Sequence, residues 1–300
     1  MSETPPETVR QYLEARRVRV DEELEKLLPG PEEYPPSIHQ AMRHSVFAGG
    51  KRLRPILCWE SGQLFGGEER NLLRVGGALE LIHTYSLIHD DLPALDNDDL
   101  RRGKPTCHRA YGEATAILAG DALLTLAFEI LSEPGLLPEE RSLRIIHEIS
   151  HAIGTRGGMV GGQVVDVETT GRKADASTLE YIHRAKTGAF IRAAVRSGAL
   201  CANAPDEDLA RVTTYGEKVG LAFQIADDLL DVTGSREQLG KSVGKDDQQH
   251  KATYPAIHGV EASRRIASQL VREACAILAP HGSRAQRLEE IAHFLIERTN

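Results

Sequence analysis

Residues 79–99 read LELIHTYSLIHDDLPALDNDD. From Leu79 to Ile88 apolar residues recur three and four positions apart, the spacing of a helix with a face in a core. Five carboxylates follow within ten residues: Asp90, Asp91, Asp96, Asp98 and Asp99. Most acidic runs are solvated helix ends. Here a buried helix would deliver Asp90 and Asp91 to the edge of the core, where massed carboxylates invite a hard cation, and all-oxygen ligation suits Mg²⁺. Pro93 disfavours helical geometry at Leu92, and a bend there would return Asp96 towards Asp90.

A second acidic stretch, FQIADDLLD, spans residues 223–231. On a helix Asp227 and Asp231 lie about 40° apart around the axis, with Asp228 to the side and Gln224 near the shared face. Like charges at that spacing destabilise an isolated helix, so a compensating cation is expected. One DDxxD triplet is weak; two clusters on separate apolar helices are stronger, because facing helices of a bundle can hold metal between them.

The same periodicity runs through the chain. It predicts helices over 7–28, 36–47, 53–64, 71–92, 112–131, 138–156, 179–200 and 206–232, and two more after Pro255 and Ser283. Alternation of β-branched residues appears only at Gln163 to Val167. The fold class is therefore all-α: about ten helices in a single large helical domain over 1–300, with no linker and no internal repeat. The pairs Gly76-Gly77 and Gly161-Gly162 call for close helix packing or a kink.

Composition narrows the function. With 36 Lys+Arg against 44 Asp+Glu, a net charge of −8, 41% hydrophobic and 27% charged residues, the chain is globular rather than disordered. It lacks the basic surface of a nucleic-acid binder. Cys58, Cys107, Cys201 and Cys275 form no CxxC pair and read as small buried hydrophobes in a reducing compartment. No targeting segment shows at residues 1–10, so a cytoplasmic location is expected. The longest apolar run, Ala114 to Phe128, is broken by Asp121 and falls short of the roughly 18 to 20 residues of a membrane span; it reads as a buried core helix, with no transmembrane segment.

An acidic site with a phosphate client also needs cations. Gly49 to Pro55 reads GGKRLRP, with three cations in a turn before a helix; Arg101-Arg102 follows the first acidic cluster; Lys186-Thr187-Gly188 lies in an apolar helix; Lys241, Lys245 and Lys251 follow the second cluster. A solvated surface cation is the ordinary fate of each one. Together they suggest two polyanion sites, one bridged by metal and one built only of Lys, Arg and His83.

These motifs, in this order, resemble the trans-isoprenyl diphosphate synthases, most closely the bacterial farnesyl diphosphate synthases. The resemblance also takes in GGQVVDVE at 161–168 and GKSVGKD with KATYP at 240–255, and it covers about two hundred residues. It implies the isoprenoid synthase bundle around a central cavity and a head-to-tail condensation of isopentenyl diphosphate with an allylic diphosphate, dimethylallyl or geranyl. It also implies a homodimer. Asp90, Asp91 and Asp96 resemble the first aspartate-rich motif and Asp227, Asp228 and Asp231 the second; through Asp90, Asp91, Asp96, Asp227 and Asp231 they would hold three Mg²⁺ ions. Arg101, Lys186, Thr187, Gln224, Lys241 and Lys251 resemble the groups that assist at the allylic diphosphate, with Lys245 the alternative to Lys241. Gly50, Lys51, Arg54, His83 and Arg102 resemble the metal-free isopentenyl diphosphate site.

Tyr85 and Ser86 lie five and four residues before Asp90, about 6 to 7.5 Å deeper along the helix. A bulky aromatic at Tyr85 resembles the pattern of C15 (farnesyl) producers; C20 (geranylgeranyl) is the alternative. His89-Asp90 with His83 and His108 nearby would also fit a metal phosphohydrolase, which leaves the second acidic helix and the Lys51/Arg54 turn without a task. A class I terpene cyclase would not need Lys51, Arg54 and His83. An inactive partner subunit would be expected to lose one acidic motif.

Overall fold

A computed structural model describes residues 8–171, 175–233 and 253–297; Lys241, Lys245 and Lys251 lie outside them. The first helix, α1 (Val9–Leu27), opens at Thr8, whose hydroxyl accepts from the Gln11 N–H while the Gln11 amide oxygen accepts from the Thr8 N–H at 3.0 Å. This reciprocal cap satisfies two donors that a helix start leaves open. Next come α2 (Pro36–Val46), α3 (Leu53–Leu64) and α4 (Glu69–Asp90), the helix of the opening stretch. A two-stranded hairpin, Leu100–Arg101 with Lys104–Pro105, turns the chain back. It leads to α5 (Cys107–Tyr111), α6 (Glu113–Leu131), α7 (Glu139–Ile153) and α8 (Met159–Thr169). After α9 (Ala176–Ile182) come a π turn (His183–Gly188), α10 (Ala189–Cys201) and α11 (Asp206–Thr233); the C-terminal helices are Tyr254–His258, Val260–Leu278 and Gln286–Glu297.

Buried side chains explain the arrangement. Leu72, Leu79, Leu81 and Ile82 of α4 are fully inaccessible, as are Ile56 and Leu57 of α3, Phe190 of α10 and Tyr215 of α11. Each such side chain contributes about 1.5–3 kcal/mol by leaving water. The α4 helix packs along α6 and α3, while α10 packs against α3, α4 and α11. The two acid-bearing helices, α4 and α11, thus meet a common neighbour.

The structure departs from the sequence expectations in four places. Gln163 to Val167, the one stretch of alternation, lies inside α8, a helix that was not anticipated. The helix expected over 179–200 is broken by the π turn at His183–Gly188. There Gly162 of α8 meets the Lys186 backbone so closely that a Cβ has no room, and a Cβ at Gly220 of α11 would stand 2.9 Å from Gly188 Cα. Two glycines thus let α8 and α11 approach the segment closely. The short α5 was not anticipated. Finally, α6 is a core helix on one face only: Ala119, Leu123 and Ala127 are buried, but Ile117 is 45% and Leu118 58% exposed. Among the described residues it alone has the length and apolar composition of a span, with 39% of its apolar window buried.

Candidate active site

A cavity of about 280 Å³ lies at the carboxyl end of α4 and is lined by Arg54, His83, Tyr85, Ser86, Asp90, Lys186 and Thr187, together with Gln163, Val164 and Leu95. Seven of the residues expected from sequence therefore share one space. Three elements supply them: the start of α3, the last two turns of α4 and the π turn.

Beyond α4 the chain folds back through Pro93. The Asp96 N–H donates to the Asp90 carbonyl at 2.8 Å and the Asp98 N–H to the Asp91 carbonyl at 3.1 Å, so the bend returns Asp96 to Asp90. Burial, with the charges of Asp96 and Asp91 and against the pull of Lys186 and Arg101, lifts the Asp90 carboxyl to about 6. Asp91 faces elsewhere. It lines a smaller adjoining pocket with Arg101, Arg102 and Thr106, and Arg101 grips it through Nε at 2.8 and 2.9 Å and Nη2 at 2.5 Å. A bidentate guanidinium-carboxylate pair of this kind is directional and strong. In this state Asp91 and Arg101, expected as ligand and diphosphate contact, satisfy each other.

On the second acidic helix, Asp227 is half-buried, and its charge helps hold up the Arg54 guanidinium, which burial brings down to about 10. Arg54 lines the cavity that Asp90 lines, whereas Gln224, Asp227, Asp228 and Asp231 are not among its lining residues. Asp228 is 5% exposed and fully engaged: Gln224 Nε2 donates at 3.1 Å, the Tyr254 N–H at 2.9 Å, and His183 Nε2 lies 3.3 Å away. Burial drives the His183 imidazole down to about 3, so it is neutral, and its ring stacks on Tyr254 with centroids 5.3 Å apart. Asp228 anchors the chain beyond residue 252, and Gln224, expected at the diphosphate, turns to Asp228. Asp231 is buried at 5% exposure.

The GGKRLRP turn divides its cations. Lys51 is exposed and Arg54 lines the cavity over the Phe190 ring, 5.2 Å from its centroid. Between them Arg52, 2% exposed, points inward: it donates to Asp21 at 2.7 Å, to Glu80 at 2.9 Å and to the Val46 carbonyl at 2.7 Å. These bonds hold Arg52 at φ +50°, a left-handed backbone that costs a non-glycine residue about 1 kcal/mol or more. Arg102 crosses the loop, donates to the Gly49 carbonyl, and stands where a Cβ at Gly50 would be. His83 is half-buried, and desolvation together with the charges of Arg54, Arg102, Arg101 and Arg52 pushes it far below the ordinary histidine value. Its imidazole is therefore neutral.

Lys186 donates to Asp166 Oδ2 at 2.6 Å; burial lowers its pKa, but Asp166 and Asp90 outweigh that and hold the ammonium charged. Sequence reasoning assigned no role to Asp166, Arg52, Glu80 or His183. Asp166 was within reach, since it sits in the quoted stretch at 161–168.

Residues 35–291 match the polyprenyl synthetase family. The chain belongs to that family. A dimethylallyltranstransferase of Fischerella ambigua is 50% identical over 291 residues, 96% of this chain and 83% of the relative. A geranylgeranyl diphosphate synthase of Cyanophora paradoxa is 48% identical over 292 residues, 96% of each chain, and the farnesyl diphosphate synthase of Escherichia coli is 45% identical over 295 residues, 96% of this chain and 98% of that one. The crystal structure of an FPP/GFPP synthase from Zymomonas mobilis superposes with a TM-score of 0.86 at 40% identity, covering 96% of this chain and 98% of that one. This polyprenyl synthetase is accordingly an all-α trans-prenyltransferase, which removes the phosphohydrolase reading.

The donor set of this polyprenyl synthetase fits a hard divalent ion. The Asp96 N–H bond to the Asp90 carbonyl draws the two acids together, and carboxylate oxygens are the donors such an ion takes. Among the described residues no three acids or imidazoles already converge at metal-ligand spacing, so Asp91 would have to leave Arg101 to join them.

Proposed function

We propose that this prenyltransferase condenses isopentenyl diphosphate head-to-tail with dimethylallyl and geranyl diphosphate in a Mg²⁺-dependent reaction and releases farnesyl diphosphate, C15. The observation that carries the chain length is the Tyr85 ring, 8% exposed in the wall of the cavity that Asp90 heads. The Cyanophora relative, a geranylgeranyl diphosphate synthase, favours C20 as the second reading.

In this reading Asp90, Asp91, Asp96, Asp227 and Asp231 hold up to three Mg²⁺ ions, which when bound neutralise the diphosphate as the carbon–oxygen bond breaks. Lys186, kept charged by Asp166 and Asp90, and Thr187 orient the allylic diphosphate; Arg101, Gln224, Lys241 and Lys251 are the further groups that the family resemblance assigns to it. Gly50, Lys51, Arg54, His83 and Arg102 hold the diphosphate of isopentenyl diphosphate. Donors already in place cost no reorganisation as charge develops on the leaving group. The allylic carbon–oxygen bond breaks with its electron pair going to diphosphate, the isopentenyl double bond attacks the allylic carbon, and the departed diphosphate takes the proton released. Met159, Val160, Val164 and Tyr85 keep water from the cation. The four cysteines, free, with Cys58, Cys107 and Cys201 buried, fit a cytoplasmic enzyme, and a homodimer is its expected assembly.

The test is product analysis with isopentenyl diphosphate and each allylic diphosphate, with and without Mg²⁺. Farnesyl diphosphate as main product, absent after chelation, with longer chains from Tyr85→Ala, supports the reading. A C20 main product, or a Tyr85→Ala variant with unaltered products, contradicts it.

A further inference from the structure

Tyr85 does not stand alone in the cavity wall. One turn further along α4 the His89 imidazole meets it edge to face, centroids 5.6 Å apart and planes at 83°. On its far side His89 Nε2 donates to the Ile117 backbone carbonyl of α6 at 3.0 Å, which fixes the ring proton on that nitrogen. Asp121 Oδ1 lies 3.9 Å from the same atom. The ring also fills a notch: α6 presents Gly120 to it, and a Cβ at that position would collide with Nε2. His89 lines the cavity with Tyr85 and is thus wedged between that ring and the α6 backbone.

We propose that His89, seated in the Gly120 notch, is a positioning residue that sets product length by holding the Tyr85 ring across the cavity. This rests on the reading that the growing chain occupies the cavity. A tyrosine ring swings about its first side-chain torsion between staggered positions, and the space behind this one is taken by an imidazole that a hydrogen bond and a glycine keep in place. The limit on chain length then belongs to Tyr85, His89 and Gly120 together, although neither His89 nor Gly120 need touch substrate.

Two variants move the ring in opposite senses. His89→Ala empties the notch and lets Tyr85 swing back, so the ratio of longer to shorter products rises by about two- to tenfold, the factor one aromatic contact supplies. Gly120→Ala drives the imidazole out of the notch towards Tyr85, so the ratio falls and more C10 is released. Ratios are taken within total prenyl product and against the unmodified chain in the same assay, so lost turnover or stability does not alter them. If His89→Ala yields no product, Gly120→Ala decides alone. Opposite shifts support the proposal; an unchanged ratio in either active variant, or two shifts in the same direction, overturns it. A C20 main product from the unmodified enzyme would sink the C15 reading while leaving this comparison intact.

Discussion

Asp90 and Asp91 are adjacent in sequence, yet one faces the cavity and the other is held by Arg101. Asp90 gives the site a pH dependence. Its carboxyl sits near 6, above the ordinary 3.8, so in the folded protein it keeps a proton that the unfolded chain releases. That contributes stability at low pH, lost as pH rises through 6. On the proposed function, Mg²⁺ with inorganic diphosphate would bind the ionised form. The rise in melting temperature they produce should therefore be larger at pH 7.5 than at pH 5.5, and an equal rise would contradict the assignment of Asp90 to the metal site. The cations of the GGKRLRP turn make a second contrast. Arg52→Ala leaves Glu80 buried without its partner and should cost about 3–5 kcal/mol in a urea titration. Arg54→Ala should leave stability nearly unchanged and raise the KM for isopentenyl diphosphate about tenfold or more, with little change for the allylic substrate. Sequence alone revealed three cations in this turn. It did not reveal that the middle one is an anchor, because its partners, Asp21 and Glu80, lie 31 and 28 residues away.

At the level of elements, α4 and α11 were legible because a long apolar periodicity ends in charge. The π turn was not, since a helix with one residue too many has the same composition as a regular one. Its effect is geometric: it lies between Gly162 and Gly220 and turns Lys186 and Thr187 into the cavity that Asp90 heads. Deleting Ala185 to restore a regular helix would rotate the upstream helix by about 100° relative to the downstream one. Far-UV circular dichroism should then stay close to that of the parent while kcat falls by about a hundredfold or more, the order of loss that misplacement by an ångström produces. A variant that keeps its activity would show the wider turn to be incidental. The valine-rich α8 was not anticipated as a helix, since its short stretch of alternation carries no clear helical period.

For the whole molecule, family membership was legible in a handful of motifs, but the surface was not. The α6 helix reads as core from sequence because nothing in its composition separates an apolar face in the core from one at the surface. With Ile117 and Leu118 exposed, that face suits a second copy of the chain, the assembly the family resemblance implies. Ile117→Glu with Leu118→Glu should convert a dimer to a monomer in light scattering; an unchanged mass would place the contact elsewhere. The central claim is that α4 and α11 present their carboxylates to one diphosphate through shared ions. It is tested most directly by the crystal structure of the complex with Mn²⁺ and an unreactive allylic thiodiphosphate, with the metals located by anomalous scattering. The account predicts ions at about 2.1–2.2 Å from carboxylate oxygens of both Asp90 and Asp227, bridged by the diphosphate. Ions on only one of the two helices, or a diphosphate bound away from both, would contradict it.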